Sequence, residues 1–366
     1  MKTKNLVILG ASVLGVGAAA AGLYAATHPK GAVARDGGGR RRRPLTDDLF
    51  EPPADVTHIR IPTPDGGSIH ALERGEGRPL VLLHGVTLRS DVWSPQLHQL
   101  ADRYRVIAVD LRGHGESTAG TAGFGMARLG DDIATLLESL DLREAVVVGH
   151  SMGGMSVMRF SGDHPDVLTE RVAGLVFLAT RSHQVLPPYL EQAGRRLVAR
   201  GVARVDAGRD LPGRTVLDAR AVRLAFGDRP SALATRLVAE MGQSMEPAAL
   251  MGSVGGLLDH DAREALRGTD IPSLVVVGTR DMLTPVPASS HLAHLLPDSE
   301  LVVLPRAGHQ LMQERPDEIA ELIDGFVARI EGDVETVAAA AAADPRPVEA
   351  GQVIDPGDPD DGPAPS

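Results

Sequence analysis

The chain has 366 residues, 43% of them hydrophobic and 23% charged, a balance that excludes collagenous and wholly disordered chains. It contains no cysteine, so disulfide frameworks, thiolate nucleophiles and cysteine-ligated zinc or iron–sulfur sites are excluded. The net charge of −11 is uneven: residues 1–43 carry eight Lys/Arg and one Asp, residues 333–366 carry eight Asp/Glu and one Arg, and residues 44–332 hold −11 by themselves. A body that acidic argues against a nucleic-acid partner, which requires a basic face.

Leu6 to Ala26 is a run of 21 uncharged residues. As a helix it measures roughly 31 Å, one hydrocarbon thickness. Three readings compete for it: a membrane anchor, a cleaved signal with Lys2 and Lys4 ahead of it and small residues around Ala18 and Ala20, or a strand–glycine–helix opening of a nucleotide fold. The last lacks G-x-G-x-x-G and a following acidic residue, so residues 1–28 are expected to be an anchor or signal segment. Lys30, Arg35 and Arg40 to Arg43 outnumber Lys2 and Lys4. That asymmetry favours a cytoplasmic body; secretion after cleavage is the alternative. Residues 29–54 read as a basic flexible linker, whose arginines suit anionic headgroups or plain solvation.

From residue 55 the pattern changes. THIRI and SIHAL flank Asp65-Gly66-Gly67, a hairpin signal. Six unalternated apolar runs follow, at 79–85, 104–111, 145–150, 174–180, 273–279 and 300–305. Such runs are what a strand buried on both faces requires. Helical stretches fall at 93–102, 125–140, 152–163, 286–296 and 314–330, the last with Ile319, Leu322, Ile323, Phe326 and Ile330 on one stripe. The alternation predicts an α/β domain over 55–331, with a mainly parallel central sheet and helices on both faces. About 181–271 lacks a strand and reads as an inserted helical cap. Residues 332–366, acidic and rich in Ala and Pro, read as a disordered tail.

In such a sheet ligands sit beyond the carboxyl ends of the strands. The chemistry-bearing residues found there are His84, Asp110, Ser151, Asp281 and His309. Gly149-x-Ser151-x-Gly153 lies where a strand gives way to a helix, the setting a sharp nucleophile turn demands. A serine needs a histidine base, and the base a carboxylate. Of 13 histidines, His309 is the one in a loop after the final strand. His84 reads as a loop brace and His150 as packing or a backbone bond. His291 and His294 sit three apart on a helix without further ligands, so no metal is expected. Asp281 is either the carboxylate partner or a helix cap, and Asp110 is a rival that more simply braces its own turn.

HGV at 84–86, DLRGHGES at 110–117, GHSMGG at 149–154, GTRDMLTP at 278–285 and AGHQLMQERPDEI at 307–319 resemble the α/β-hydrolase fold superfamily. The nearest flavour is its lipase-like esterases and cofactor-free haloperoxidases. The resemblance covers about residues 55–330. It implies Ser151 as nucleophile, His309 as base and Asp281 as orienting acid, with an oxyanion hole from the backbone N–H groups of Val86 and Met152. It also implies ester hydrolysis of a small acyl substrate through an acyl-enzyme, without cofactor; the Leu- and Met-rich cap suggests an apolar acyl or alcohol portion, with those residues forming the cap's own core as the alternative. Serine at 151 separates the chain from relatives that place aspartate there. Perhydrolysis, carbon–carbon bond hydrolysis and a tethered, non-catalytic binding protein are the alternatives.

Overall fold

The computed structural model describes residues 33–34, 46–183, 188–208, 222–228 and 230–343. The strands are β1 (Val33–Ala34), β2 (Thr57–Pro62), β3 (Ser68–Arg74), β4 (Arg78–Leu83), β5 (Tyr104–Asp110), β6 (Ala145–His150), β7 (Val172–Leu178), β8 (Ser273–Gly278) and β9 (Ser299–Leu304). They form one nine-stranded sheet in the order β1-β9-β8-β7-β6-β4-β5-β3-β2. The hairpin β2–β3 and the β3–β5 pair are antiparallel, and the remaining pairs are parallel.

The helices are α1 (Ser94–Leu100), α2 (Met126–Ser139), α3 (Met152–Asp163), α4 (Pro165–Arg171), α5 (Pro188–Asp206), α6 (Ala232–Ser244), α7 (Pro247–Leu258), α8 (Arg263–Arg267), α9 (Val286–Leu295), α10 (Leu311–Glu314) and α11 (Pro316–Ala343). Alternate strand residues enter two separate cores. Leu80, Leu82, Val146, Val148, Val276 and Val302 pack with Leu97 of α1 and with Ile319, Ile323 and Phe326 of α11. Val81, Leu83, Val147, Phe177 and Val275 pack on the other face with Ile133 of α2, Val157 of α3 and Leu292 of α9. The continuous apolar runs therefore have a physical cause: β6 and β8 are buried at every position, so both sets of alternating side chains must be apolar.

The expected architecture is the one observed, including the helical cap, whose α5 to α8 lie between β7 and β8. Three local features differ from the sequence reading. Within the stretch read as linker, Asp47–Phe50 is a 3-10 turn with Phe50 buried in the core, and Val33 pairs with Val302 of β9. Within the stretch read as tail, α11 continues to Ala343; an alanine run has the highest helix propensity of any sequence. Helix α4, opened by Pro165 at its first position, completes the connection from α3 to β7. The apolar stretch 6–26 lies outside the described residues. Among the described residues no helix is long and apolar enough to cross a membrane.

The strand order fixes where a site can form. From β4 the chain passes outward to β5 and then returns to place β6 on the opposite side of β4. Crevices open at such a reversal, beyond the carboxyl ends of the strands. The loops that leave β4 and β6 start at His84 and Ser151.

Candidate active site

Ser151 stands between the end of β6 and the first residue of α3, with φ 52° and ψ −116°. A non-glycine residue adopts that conformation at a cost of about 1–3 kcal/mol. The surroundings hold it there. Its N–H donates to the Leu178 carbonyl (3.0 Å) and its carbonyl accepts from Met155 N–H (3.1 Å), while Thr180 Oγ1 donates to the same carbonyl at 2.7 Å. The glycines beside it are required by close approach. A Cβ on Gly149 would lie 2.5 Å from the Gly154 Cα, and one on Gly153 would lie 2.3 Å from the Leu83 carbonyl oxygen.

His309 follows β9 in a loop and is buried. Its Nδ1 donates to Asp281 Oδ2 at 2.9 Å, with Thr284 Oγ1 at 3.3 Å from the same nitrogen. Asp281 is buried too, and its remaining capacity is filled. Oδ1 accepts from the N–H groups of Leu283 and Thr284, both at 2.8 Å, and Oδ2 accepts from Thr284 Oγ1 at 2.7 Å. Burial alone pushes this carboxyl up; the charge of His309 and these donors outweigh it, so the group ends below its ordinary value. The carboxylate is therefore ionised, Nδ1 carries the imidazole proton, and Nε2 is left as the acceptor.

The structure thus brings Asp281 and His309 together, and the residue that precedes Ser151 packs against them. The His150 ring packs 4.8 Å from the His309 ring, centroid to centroid, and its Nε2 donates to the His309 carbonyl at 2.9 Å. Burial, then the proximity of His309, lowers the His150 pKa far below the usual value, so it is a neutral strut. Val86 lies in the turn after β4, and Met152 is the first residue of α3, fully buried. First-turn N–H groups of a helix have no partner within it, which leaves the Met152 N–H available. A Cβ on Gly85 would lie 3.1 Å from Ser151 Cβ, so the loop carrying Val86 runs against the serine.

The bracing residues are where the sequence reading put them. His84 Nδ1 donates to the Gly85 carbonyl at 2.7 Å and its Nε2 accepts from Leu111 N–H at 3.0 Å. Burial and the nearby His114 push its pKa down to about 3. Asp110 accepts from the N–H groups of Ser90 (2.6 Å) and Glu116 (2.9 Å), closing its own turn. His291 meets His183 edge-on at 5.0 Å and joins no metal-capable cluster among the described residues.

Sequence reasoning gave no role to Thr284, Glu314 or the cap segment Ala225–Gly227. The His309 N–H donates to the Ala225 carbonyl at 2.7 Å. Glu314 accepts from the N–H of Gly227 at 2.8 Å and of Gly308 at 3.0 Å. One carboxylate therefore ties the cap to the histidine loop. The motif at 307–319 contained Glu314, but no signal along the chain marks a residue 87 positions earlier as its partner.

A family profile described as the alpha/beta hydrolase fold matches residues 78–316. The chain is 30% identical over 271 residues to 2-(acetamidomethylene)succinate hydrolase of Mesorhizobium japonicum, covering 71% of this chain and 91% of that protein. It is 33% identical over 262 residues to a non-heme chloroperoxidase of Kitasatospora aureofaciens, covering 68% and 90%. Among solved structures, a thermophilic esterase from Thermogutta terrifontis superposes with a TM-score of 0.65 at 26% identity, over 75% of this chain and 99% of that one.

Proposed function

The chain belongs to the alpha/beta hydrolase fold family, and on that premise we propose that it is a serine hydrolase cleaving carboxylic esters through an acyl-enzyme. The observation that carries the reading is Ser151 held in a strained turn at the head of α3, directly after His150, whose ring packs on the His309 of a buried His309–Asp281 pair. Ser151 Oγ attacks the acyl carbonyl while His309 Nε2 takes its proton. The backbone N–H groups of Met152 and Val86 receive the oxyanion. His309 then returns the proton to the departing alcohol, and a water, deprotonated by the same nitrogen, releases the acid. Asp281 stabilises the imidazolium throughout. The Leu- and Met-bearing cap supports an apolar acyl or alcohol portion.

A second reading shares every residue. The identity to non-heme chloroperoxidase and the 30% identity to a non-heme haloperoxidase of Rhodococcus erythropolis support perhydrolysis. Hydrogen peroxide would then replace water on the acyl-enzyme and leave as a peracid. For the N-terminal stretch 6–26, membrane attachment rests on the uncharged run of 21 residues, and the cytoplasmic placement of the body on the charge asymmetry alone.

The test is hydrolysis of p-nitrophenyl esters of increasing acyl length by the full chain, beside its Ser151→Ala variant. A parallel reaction with acetate, peroxide and bromide reads bromination. Turnover that vanishes in the variant supports the hydrolase. Bromination that exceeds hydrolysis favours the second reading. Neither turnover nor labelling by a fluorophosphonate overturns both and leaves a non-catalytic binding protein.

A further inference from the structure

The hairpin β2–β3 carries a cluster that the hydrolase reading does not use. His58 pairs with Leu72 and Arg60 with His70 across the two strands, so His58 and His70 are diagonal neighbours on one face. Their rings meet, with His58 Nδ1 at 2.9 Å from His70 Nε2. Glu116, from the loop after β5, reaches the same point: one donor atom from each of the three residues lies within 4.8 Å of the others.

The inner histidine is held by a carboxylate. His70 Nδ1 donates to Asp110 Oδ2 at 2.7 Å, with both groups about 2% exposed. Asp110 is itself fixed by the Ser90 and Glu116 N–H groups. This fixes the tautomer: Nδ1 keeps the proton, and Nε2 presents its lone pair towards His58. A carboxylate–histidine pair with the far nitrogen free is the arrangement that orients metal-ligating imidazoles. With that lone pair facing it, His58 Nδ1 is the donor that fits the 2.9 Å contact between the rings.

Two nitrogens on a tetrahedral ion with bonds near 2.0–2.1 Å stand about 3.3 Å apart. The observed 2.9 Å therefore needs only a small opening, on an exposed edge residue. The third donor is available at little cost: Glu116 is paired with Arg60, and both side chains are more than half exposed, where ion pairs contribute little. His58, His70 and Glu116 also line a cavity of about 630 Å³ with Leu88, Met241 and Met245. Ser151, Asp281 and His309 are absent from its walls.

We propose that His58 Nδ1, His70 Nε2 and a Glu116 carboxylate oxygen bind one divalent transition-metal ion of the zinc class. Its fourth position faces the cavity, where water or an anionic oxygen completes it. On binding, the His58 proton moves from Nδ1 to Nε2, so both imidazoles ligate in the neutral form. Two imidazoles and one carboxylate select zinc-like ions over magnesium or calcium, which prefer all-oxygen shells. The proposal stands independently of the hydrolase reading.

The experiment is Zn²⁺ titration of the full chain in competition with a chromophoric chelator. One equivalent should bind at micromolar affinity or tighter, unmoved by millimolar Mg²⁺. His58→Ala should weaken binding at least a hundredfold and Glu116→Gln about tenfold. Arg60→Ala should tighten binding several-fold, because it frees Glu116 and removes a positive charge; a merely structural role for the cluster predicts no such gain. His98→Ala, at a half-buried histidine outside the cluster, should leave affinity unchanged. All these side chains except His70 are exposed or partly so, which keeps the variants foldable. No stoichiometric Zn²⁺, or an affinity that His58→Ala leaves intact, overturns the proposal.

Discussion

Asp281 and His309 form a buried pair in which every acceptor site of the carboxylate is committed: Nδ1 of His309 at 2.9 Å, Thr284 Oγ1 at 2.7 Å, and two loop N–H groups at 2.8 Å. The carboxylate is fixed by its own loop rather than by the histidine, so it can orient the ring without being moved by it. An amide in its place can present its NH₂ to Nδ1 and so reverse the imidazole tautomer. Asp281→Asn is therefore expected to lower kcat for a p-nitrophenyl ester by about 10⁴, with an unchanged circular dichroism spectrum. A loss below tenfold would remove Asp281 from the mechanism.

Glu314 acts through position rather than chemistry. Its carboxylate collects the N–H groups of Gly227 and Gly308, two buried backbone segments that touch: a Cβ on Gly308 would lie 2.3 Å from the Gly227 nitrogen. Glu314→Ala strands both donors and releases the loop that carries His309. A displacement of about 1 Å at a reacting group is worth about 10² in rate, so kcat should fall ten- to a hundredfold. Glu314→Gln, which keeps an acceptor oxygen, should recover most of it. Equal losses in both variants would assign the effect to charge and not to position.

Two glycine substitutions should move stability in opposite directions. A Cβ on Gly153 meets the carbonyl oxygens of Leu83 at 2.3 Å and His84 at 2.6 Å, and backbone cannot step aside as a side chain can. Gly153→Ala is expected to destabilise by about 3 kcal/mol or more. Gly325, inside α11 and exposed, has nothing within 4 Å of its Cβ position, so Gly325→Ala should stabilise by up to about 1 kcal/mol. Urea unfolding of the two variants checks both signs, and a stable Gly153→Ala would show that α3 can shift away from β4.

The contrast explains what was readable along the chain. Strands buried on both faces leave an unbroken apolar run, and six such runs marked β4 to β9 within two residues at either end. The turn at Ser151 was legible because its glycines are enforced by local backbone contact. Glu314 and Ala225 were not, because their partners arrive through the cap, and no periodicity records a contact between distant loops. The same holds for His58, His70 and Glu116: strand pairing puts two of them on one face, and a separate loop supplies the third. Phe50 was missed for another reason. A lone aromatic after a run of arginines carries no pattern, although the core takes it up.

Acid should destabilise the fold well above the carboxylate range. Burial lowers the pKa of His84 to about 3, of His260 to about 4, and also lowers those of His114 and His150. The unfolded chain, with histidines near their ordinary value of 6.5, takes up protons that the folded chain refuses. Each such group therefore removes up to about 1.4 kcal/mol per pH unit below that value. The loss continues down to about pH 4 for His260 and about pH 3 for His84. Asp281, lowered in the fold, adds a further loss as the pH falls from its unfolded value through its folded one. Asp132 and Glu314 work the other way, since burial raises their carboxyls and the folded chain binds those protons first. Two carboxyls oppose four histidines, so the histidines dominate the window below 6.5. Urea midpoints at pH 7.5, 6.0 and 5.0 should fall in that order. A midpoint at pH 5.0 equal to that at 7.5 would mean that the buried imidazoles accept protons without leaving their hydrogen bonds.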